Sequence, residues 1–328
     1  GLTDVHVVSA MEANALSAGL QFTGNLDILG DGSTSSNTGI SASTTLTLWG
    51  KINLPDNQAP FAEFDRVQLD SVSITGNLTI MTVHGAIGFY HNNATFGNGF
   101  KGLITAKVLE SIDIGAAAQF GEVNNFKYWY VDVNLQAEVP IIPLGAVAIY
   151  GLGGGAYHKM RPVAVDSSHP KQPENEIGGS MSQYTYVPDN AQSWGFLATV
   201  FLGTTGERNV FNADATFIIT FADAGGISQV NFNGTGRFMT APEDKNNSSV
   251  TATLLIDYTV SSKILDGNLS VFMNLTGGIV KGGHENNLAG QASFHVEPGN
   301  WQILIGTPNT PISLEFLHLF TSESYLMI

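Results

Sequence analysis

A chain of 328 residues with 43% hydrophobic and 10% aromatic side chains can bury a large core, which excludes a disordered polymer. Its net charge of −15, from 28 acidic and 13 basic residues, repels phosphate backbones, and no polybasic run is present to hold nucleic acid or an anionic membrane surface. The absence of cysteine excludes thiol catalysis, cysteine-ligated zinc, iron–sulfur clusters and disulfides, and fits a bacterial surface or periplasmic protein.

The chain opens on Gly1-Leu2-Thr3-Asp4 without a basic, apolar leader, so a processed form or an excerpt is expected. Ser9 to Gly19, with Met11, Ala13, Ala15 and Leu16, predicts one short helix. Asp27, Asp31 and Asn37 could offer oxygen ligands to calcium. They miss the register of an EF-hand, so a hydrated hairpin loop is expected there, and no metal site.

From there period-2 alternation dominates. Ile104, Ala106 and Val108 continue after a short break into Ile112, Ile114, Ala116, Ala118 and Phe120. From Phe126 to Val139 the odd positions are apolar from Trp129 onward, and the even ones grade from Phe126, Tyr128 and Tyr130 to Asp132, Asn134, Gln136 and Glu138. Such a strand keeps one face on a core and shows the other to water. Further on, Phe211 to Phe221, Ala252 to Val260, Leu269 to Leu275 and Ala292 to Val296 repeat the pattern, joined by turns such as Asp266-Gly267-Asn268 and Asn233-Gly234. Roughly 14–18 strands follow from this alternation, and it favours antiparallel pairing. The fold class is all-β: an antiparallel meander or sandwich, or a large curved sheet, with long amphipathic strands.

Pro162 to Gln192 carries four prolines and little alternation. A loop of that length is functional or a linker, which divides the chain into a β domain over 1–161, a polar loop over 162–192 and a β domain over 193–328. A single domain with a projecting loop is the alternative.

Motifs of catalysis fail on their surroundings. Gly151 to Ala156 matches a relaxed dinucleotide fingerprint after a strand, but Tyr157 to Pro162 leaves no room for the helix that must receive phosphate, so a glycine-rich strand or bulge is expected. The histidines lack metal-protease spacing, and Gly178-Gly179-Ser180-Met181-Ser182 is not a nucleophile elbow. No enzyme activity, cofactor or metal is expected. The most suggestive feature is the aromatic run Phe126, Tyr128, Trp129 and Tyr130: rings on one strand face stack on sugars, form a subunit interface, or make a cross-strand ladder under a covering element.

Two segments resemble known proteins. Phe96-Gly97-Asn98-Gly99-Phe100-Lys101-Gly102, with the strands up to Tyr150-Gly151-Leu152-Gly153-Gly154-Gly155-Ala156-Tyr157, is one, and Trp301 to Pro308, with the ending Tyr325-Leu326-Met327-Ile328, is the other. They resemble β-rich modules of very large secreted or cell-surface proteins of gliding and filamentous bacteria. The resemblance implies an extracellular or cell-surface modular role and no catalytic residues.

The first expectation is therefore a structural or adhesion module that assembles with copies of itself or with neighbouring modules through open sheet edges. The second is an outer-membrane β-barrel, favoured by long alternating strands and tyrosine. It is opposed by a non-aromatic last residue and by Asp and Glu on candidate outward faces. The third is a glycan-binding or glycan-cleaving protein using Tyr128 and Tyr130 or the 162–192 loop.

Overall fold

The computed structural model describes the chain except residues 13–14, 30–38, 54–58, 60, 165–183, 243 and 245–246. The described residues form an all-β, antiparallel meander of 23 strands with no α-helix. Fifteen strands have ten residues or more, the length that the alternating segments call for. Asp31, Asn37 and Gly178 to Ser182 lie outside the described residues.

The chain divides into two compact units, Gly1–Val133 with Met160–Asp189, and Asn134–Lys159 with Asn190–Ile328. In the first, β1 (Leu2–Glu12), β2 (Ala15–Leu29), β3 (Gly39–Asn53), β4 (Phe61–Leu78), β5 (Met81–Asn93), β6 (Gly97–Val108) and β7 (Ile112–Val123) pair each with the next. β8 (Phe126–Ala137), whose residues up to Val133 belong to this unit, follows through a turn in which Asn124 and Asn125 take the left-handed conformation that asparagine tolerates. The unit also holds a hairpin of β11 (Met160–Ala164) and β12 (Tyr184–Pro188), the described parts of the 162–192 region.

The helix expected over Ser9 to Gly19 is not formed; β1 and β2 pair across it, Val7 opposite Leu20 and Met11 opposite Leu16. Alanine, methionine and leucine favour helix only weakly, and pairing of two apolar strand faces outweighs that preference.

The second unit begins with β9 (Ile142–Pro143) and β10 (Val147–His158). It continues with β13 (Trp194–Thr204), β14 (Phe211–Phe221), β15 (Ile227–Phe238), β16 (Val250–Thr259) and β17 (Ile264–Leu275). β19 (Leu288–Glu297) and β20 (Asn300–Ile305) extend that run. β18 (Val280–Gly282), β21 (Ile312–Phe316) and β22 (Phe320–Ser324) make a small side sheet from the end of β17, and β23 (Leu326–Met327) pairs with β20. The glycine-rich Gly151 to Ala156 lies in β10, with a bulge between Ile149 and Gly151.

The sense of the alternation is the reverse of the expected one. On β8, Asp132 is fully buried while Val133 is 50% exposed. On β14, Asn212, Thr216 and Thr220 are buried and Phe217 is exposed. The registers carry this through the second unit. Asn212, Arg237 and Thr251 share one face with Thr216 and Asn233, whereas Phe217, Phe232 and Ile256 share the other. Along β13 to β17, β19 and β20 the apolar face holds no Asp, Glu, Lys or Arg. A water-soluble sheet covers its apolar side; on β8 and β14 it is polar side chains that are covered.

Candidate functional site

The predicted aromatic run is split between the two faces. Tyr128 and Tyr130 are buried on the polar face, Phe126 is half-buried, and Trp129 points the other way, stacked with Phe120 at 6.4 Å. Phe120 stacks in turn with Phe100 at 5.3 Å, and Phe100 meets Phe89 at 6.1 Å. These four rings form a row near one end of the apolar face of β5 to β8.

On the polar face, Gln119 donates Nε2–H to the Tyr90 hydroxyl at 3.0 Å, and the Tyr90 and Tyr128 hydroxyls lie 2.8 Å apart. Tyr128 donates to the Phe96 carbonyl at 2.6 Å. The Tyr90 hydroxyl also lies 3.1 Å from the Phe120 carbonyl, so its one proton is shared between that carbonyl and Tyr128, and the groups form a branched network. Glycine gives the rings their places. A Cβ on Gly121 would stand 2.3 Å from the Tyr128 oxygen, and one on Gly99 would stand 2.6 Å from the Tyr90 oxygen. Tyr90 and Gly121 both pair with Gly99, so the ring lies across two bare backbone positions.

Tyr130, two residues on, is covered by the hairpin. The Tyr186 ring stacks on it at 4.3 Å and 10°, and Met160, Tyr184 and Tyr186 are buried. Arg161 pairs with Asp189 across the hairpin base at 3.6 Å. Pro162 lies within β11 and Pro188 ends β12, so the described part of the 162–192 region includes a strand pair that seals part of the polar face. Further from β8, Asp70 accepts from Gln21 at 3.0 Å, Thr47 at 2.5 Å and Gln68 at 2.7 Å, which satisfies its carboxylate.

The second unit carries a different polar row. Asp257 of β16 stands directly opposite Asp266 of β17, and Asp266 opposite His295 of β19, which faces Gln302 of β20. Like charges directly opposite repel. Each carboxylate has its own donors instead: Gln229 at 2.5 Å and Asn231 on Asp257, and His295 Nδ1 at 2.6 Å on Asp266. Asp257, Asp266, Asn268, Ser293, His295 and Gln302 line a shallow recess there. Nearby, Arg237 pairs with Asp214 at 2.5 Å, both largely buried. Among the described residues no cluster of three His, Asp or Glu side chains has metal-binding geometry.

Sequence reasoning reached Tyr128 and Tyr130 but missed Tyr90, Gln119 and Tyr186, which meet them only through pairing and the hairpin fold. It also missed Asp257 and His295, each at a polar position of an alternating strand, and placed Asp266 in a turn, whereas Asp266-Gly267-Asn268 lies inside β17.

The chain matches no known protein family and no curated protein. Among solved structures it is similar to a triple mutant of the Rh. blastica porin, at 8% identity over 88% of each chain, with a TM-score of 0.30. That similarity is too slight to carry an argument about fold or function.

Proposed function

We propose that this chain is a transmembrane β-barrel of the outer-membrane type, its apolar face in lipid and its polar face around an aqueous interior. The observation that supports it is the reversed burial: uncharged, exposed apolar rows on one face, and buried tyrosine, threonine, amide and ion-paired groups on the other. The lipid side of a membrane-crossing strand must be apolar at every second residue, which is the pattern of this face. Along β14 to β19 the acidic residues fall on the polar face, whereas Glu122, near the end of β7, shares the face of Phe120.

The dimensions agree. Phe211 meets Phe238 at 4.9 Å at one end of the apolar face, and Phe196 meets Phe221 at 5.9 Å at the other. At about 3.3 Å per residue the ends of β14 are ~33 Å apart, roughly 23–27 Å of bilayer thickness at a tilt of about 35–45°. That is the height of an apolar band bounded by aromatic girdles. A soluble surface module, the first expectation from sequence, would have to solvate that same face with water.

The test is sedimentation velocity without detergent beside flotation with phosphatidylcholine vesicles after a urea wash. The barrel reading expects aggregation in buffer and urea-resistant flotation. A monodisperse species in plain buffer that stays off vesicles would overturn it and bring the assembly module forward.

A further inference from the structure

The two ends of the second unit's strands differ in a way that the barrel reading does not require. At the end where β14 and β16 begin and β15 and β17 finish, the connections carry exposed large apolar side chains: Leu144 at 56%, Val210 at 54%, Met239 at 60% and Leu319 at 78%. At the other end the turns are Ala222 to Gly226, Ser261 to Lys263 and Pro298-Gly299, and none exposes a large hydrophobic residue.

These apolar connections are tied together. Thr205 donates its backbone N–H to Ala146 at 3.0 Å, Met239 to Val210 at 3.1 Å, Asn274 to Ser249 at 2.7 Å and Leu317 to Ile279 at 2.8 Å. They form a hydrogen-bonded rim. Met239 and Leu317 hold left-handed backbone, at φ of 54° and 52°, where asparagine or glycine is cheaper. The chain uses that cheaper solution at Asn286-Asn287. At Met239 and Leu317 backbone strain and exposed apolar surface coincide, and water compensates neither.

The rim is continuous with the apolar face. Phe238, the last residue of β15 and part of the terminal aromatic pair, precedes Met239 directly. Charged neighbours are present, Glu207 and Arg208 before Val210 and Glu315 and His318 beside Leu317. Mixed apolar and charged side chains suit a headgroup boundary, where the charges reach water.

We infer that this rim seats in the headgroup–acyl boundary of one leaflet, so that the barrel ends flush with the membrane on that side, while the opposite turns stand in water. The inference rests on the barrel reading and adds the position of the membrane edge.

The cysteine-free sequence permits single nitroxide labels. Met239→Cys, Leu319→Cys, Phe217→Cys and Ser262→Cys, each in the full chain in phosphatidylcholine vesicles, are compared by spin-label collision with oxygen and with a water-soluble nickel chelate. Expected is strong protection from nickel at 217, several-fold lower nickel access at 239 and 319 than at 262, and oxygen access intermediate between 217 and 262. Nickel access at 239 and 319 equal to that at 262, with 217 protected, overturns the rim proposal alone. Free nickel access at 217 overturns the barrel reading itself.

Discussion

The polar face around β8 and the polar face of β15 to β20 solve one problem in opposite ways. Around β8, Tyr90, Tyr128 and Tyr130 are buried and capped by the Tyr186 ring, so polar atoms pair with one another and water is shut out. In the β15 to β20 region Asp257, Asp266 and His295 line an open recess, and Leu255 on that same face is 50% exposed. The first region is held by shape, the second by solvation. Rigidity is expected where rings interlock, and looser side-chain packing where carboxylates meet water.

Substitutions separate the two. The largest effect is expected for Tyr128→Ala, which empties the glycine-lined seat and breaks the hydroxyl network. By analogy with buried aromatic truncations it costs about 3–5 kcal/mol, read by urea unfolding from vesicles. A loss under about 1 kcal/mol would mean that the interlock does not stabilise the fold.

Next comes a matched pair on β14 and β16. Phe217 and Leu255 are similarly exposed, at 43% and 50%, but lie on opposite faces. Arginine at 217 is expected to cost about 2–4 kcal/mol, as a charge in the lipid band, and arginine at 255 close to nothing. Equal costs would break the assignment of the two faces.

A smaller effect is expected from Asp257→Asn with Asp266→Asn. Removing the opposed charges relieves a repulsion but also weakens the bonds from Gln229, Asn231 and His295, so stability should change by less than about 1 kcal/mol in either direction. In planar bilayers it should shift the reversal potential of the reconstituted chain away from cation preference. An unchanged potential would show that this row does not face the conducting water.

The smallest is a pH effect at Asp223, in the turn from Ala222 to Gly226. The Ser193 hydroxyl and the Lys159 ammonium, 3.4 Å away, hold its carboxyl below the usual range. A depressed carboxylate stabilises the fold above its ordinary pKa, and that contribution is lost as pH falls through the depressed value. Asp223→Asn should therefore slightly flatten the acid side of a plot of unfolding midpoint against pH, whereas a steeper acid side would contradict the pairing.

Much of the architecture was legible in sequence, and the part that was not has a physical cause. Alternation at Phe211 to Phe221 says which side chains share a face. It does not say which face meets water, because period 2 is symmetric between the sides. The decisive clue lay in the partners: Asn212, Asp214, Thr216 and Thr220 are mostly small neutral groups that pair readily with one another. The short-helix expectation at Ser9 to Gly19 failed because local propensity cannot see the opposing strand. Tyr128 and Tyr130 were found by their clustering, while Tyr90 and Tyr186 stand 38 and 56 residues from Tyr128 and Tyr130 and are joined to them only by the fold.

The tyrosines seated over glycine also bear on how the strands find their places. A slip of two residues between neighbouring strands keeps every apolar group on its own side, so hydrophobic patterning alone tolerates it. Tyr90 over Gly99 tolerates it in one direction only: a slip one way brings the ring onto Lys101, a slip the other way onto Gly97. Tyr157 over Gly195, where a Cβ would come within 2.0 Å of the ring, would meet Leu197. Each pair therefore resists a slip in one direction, towards Lys101 or Leu197, and it is that half of the out-of-step pairings that the tyrosines reject.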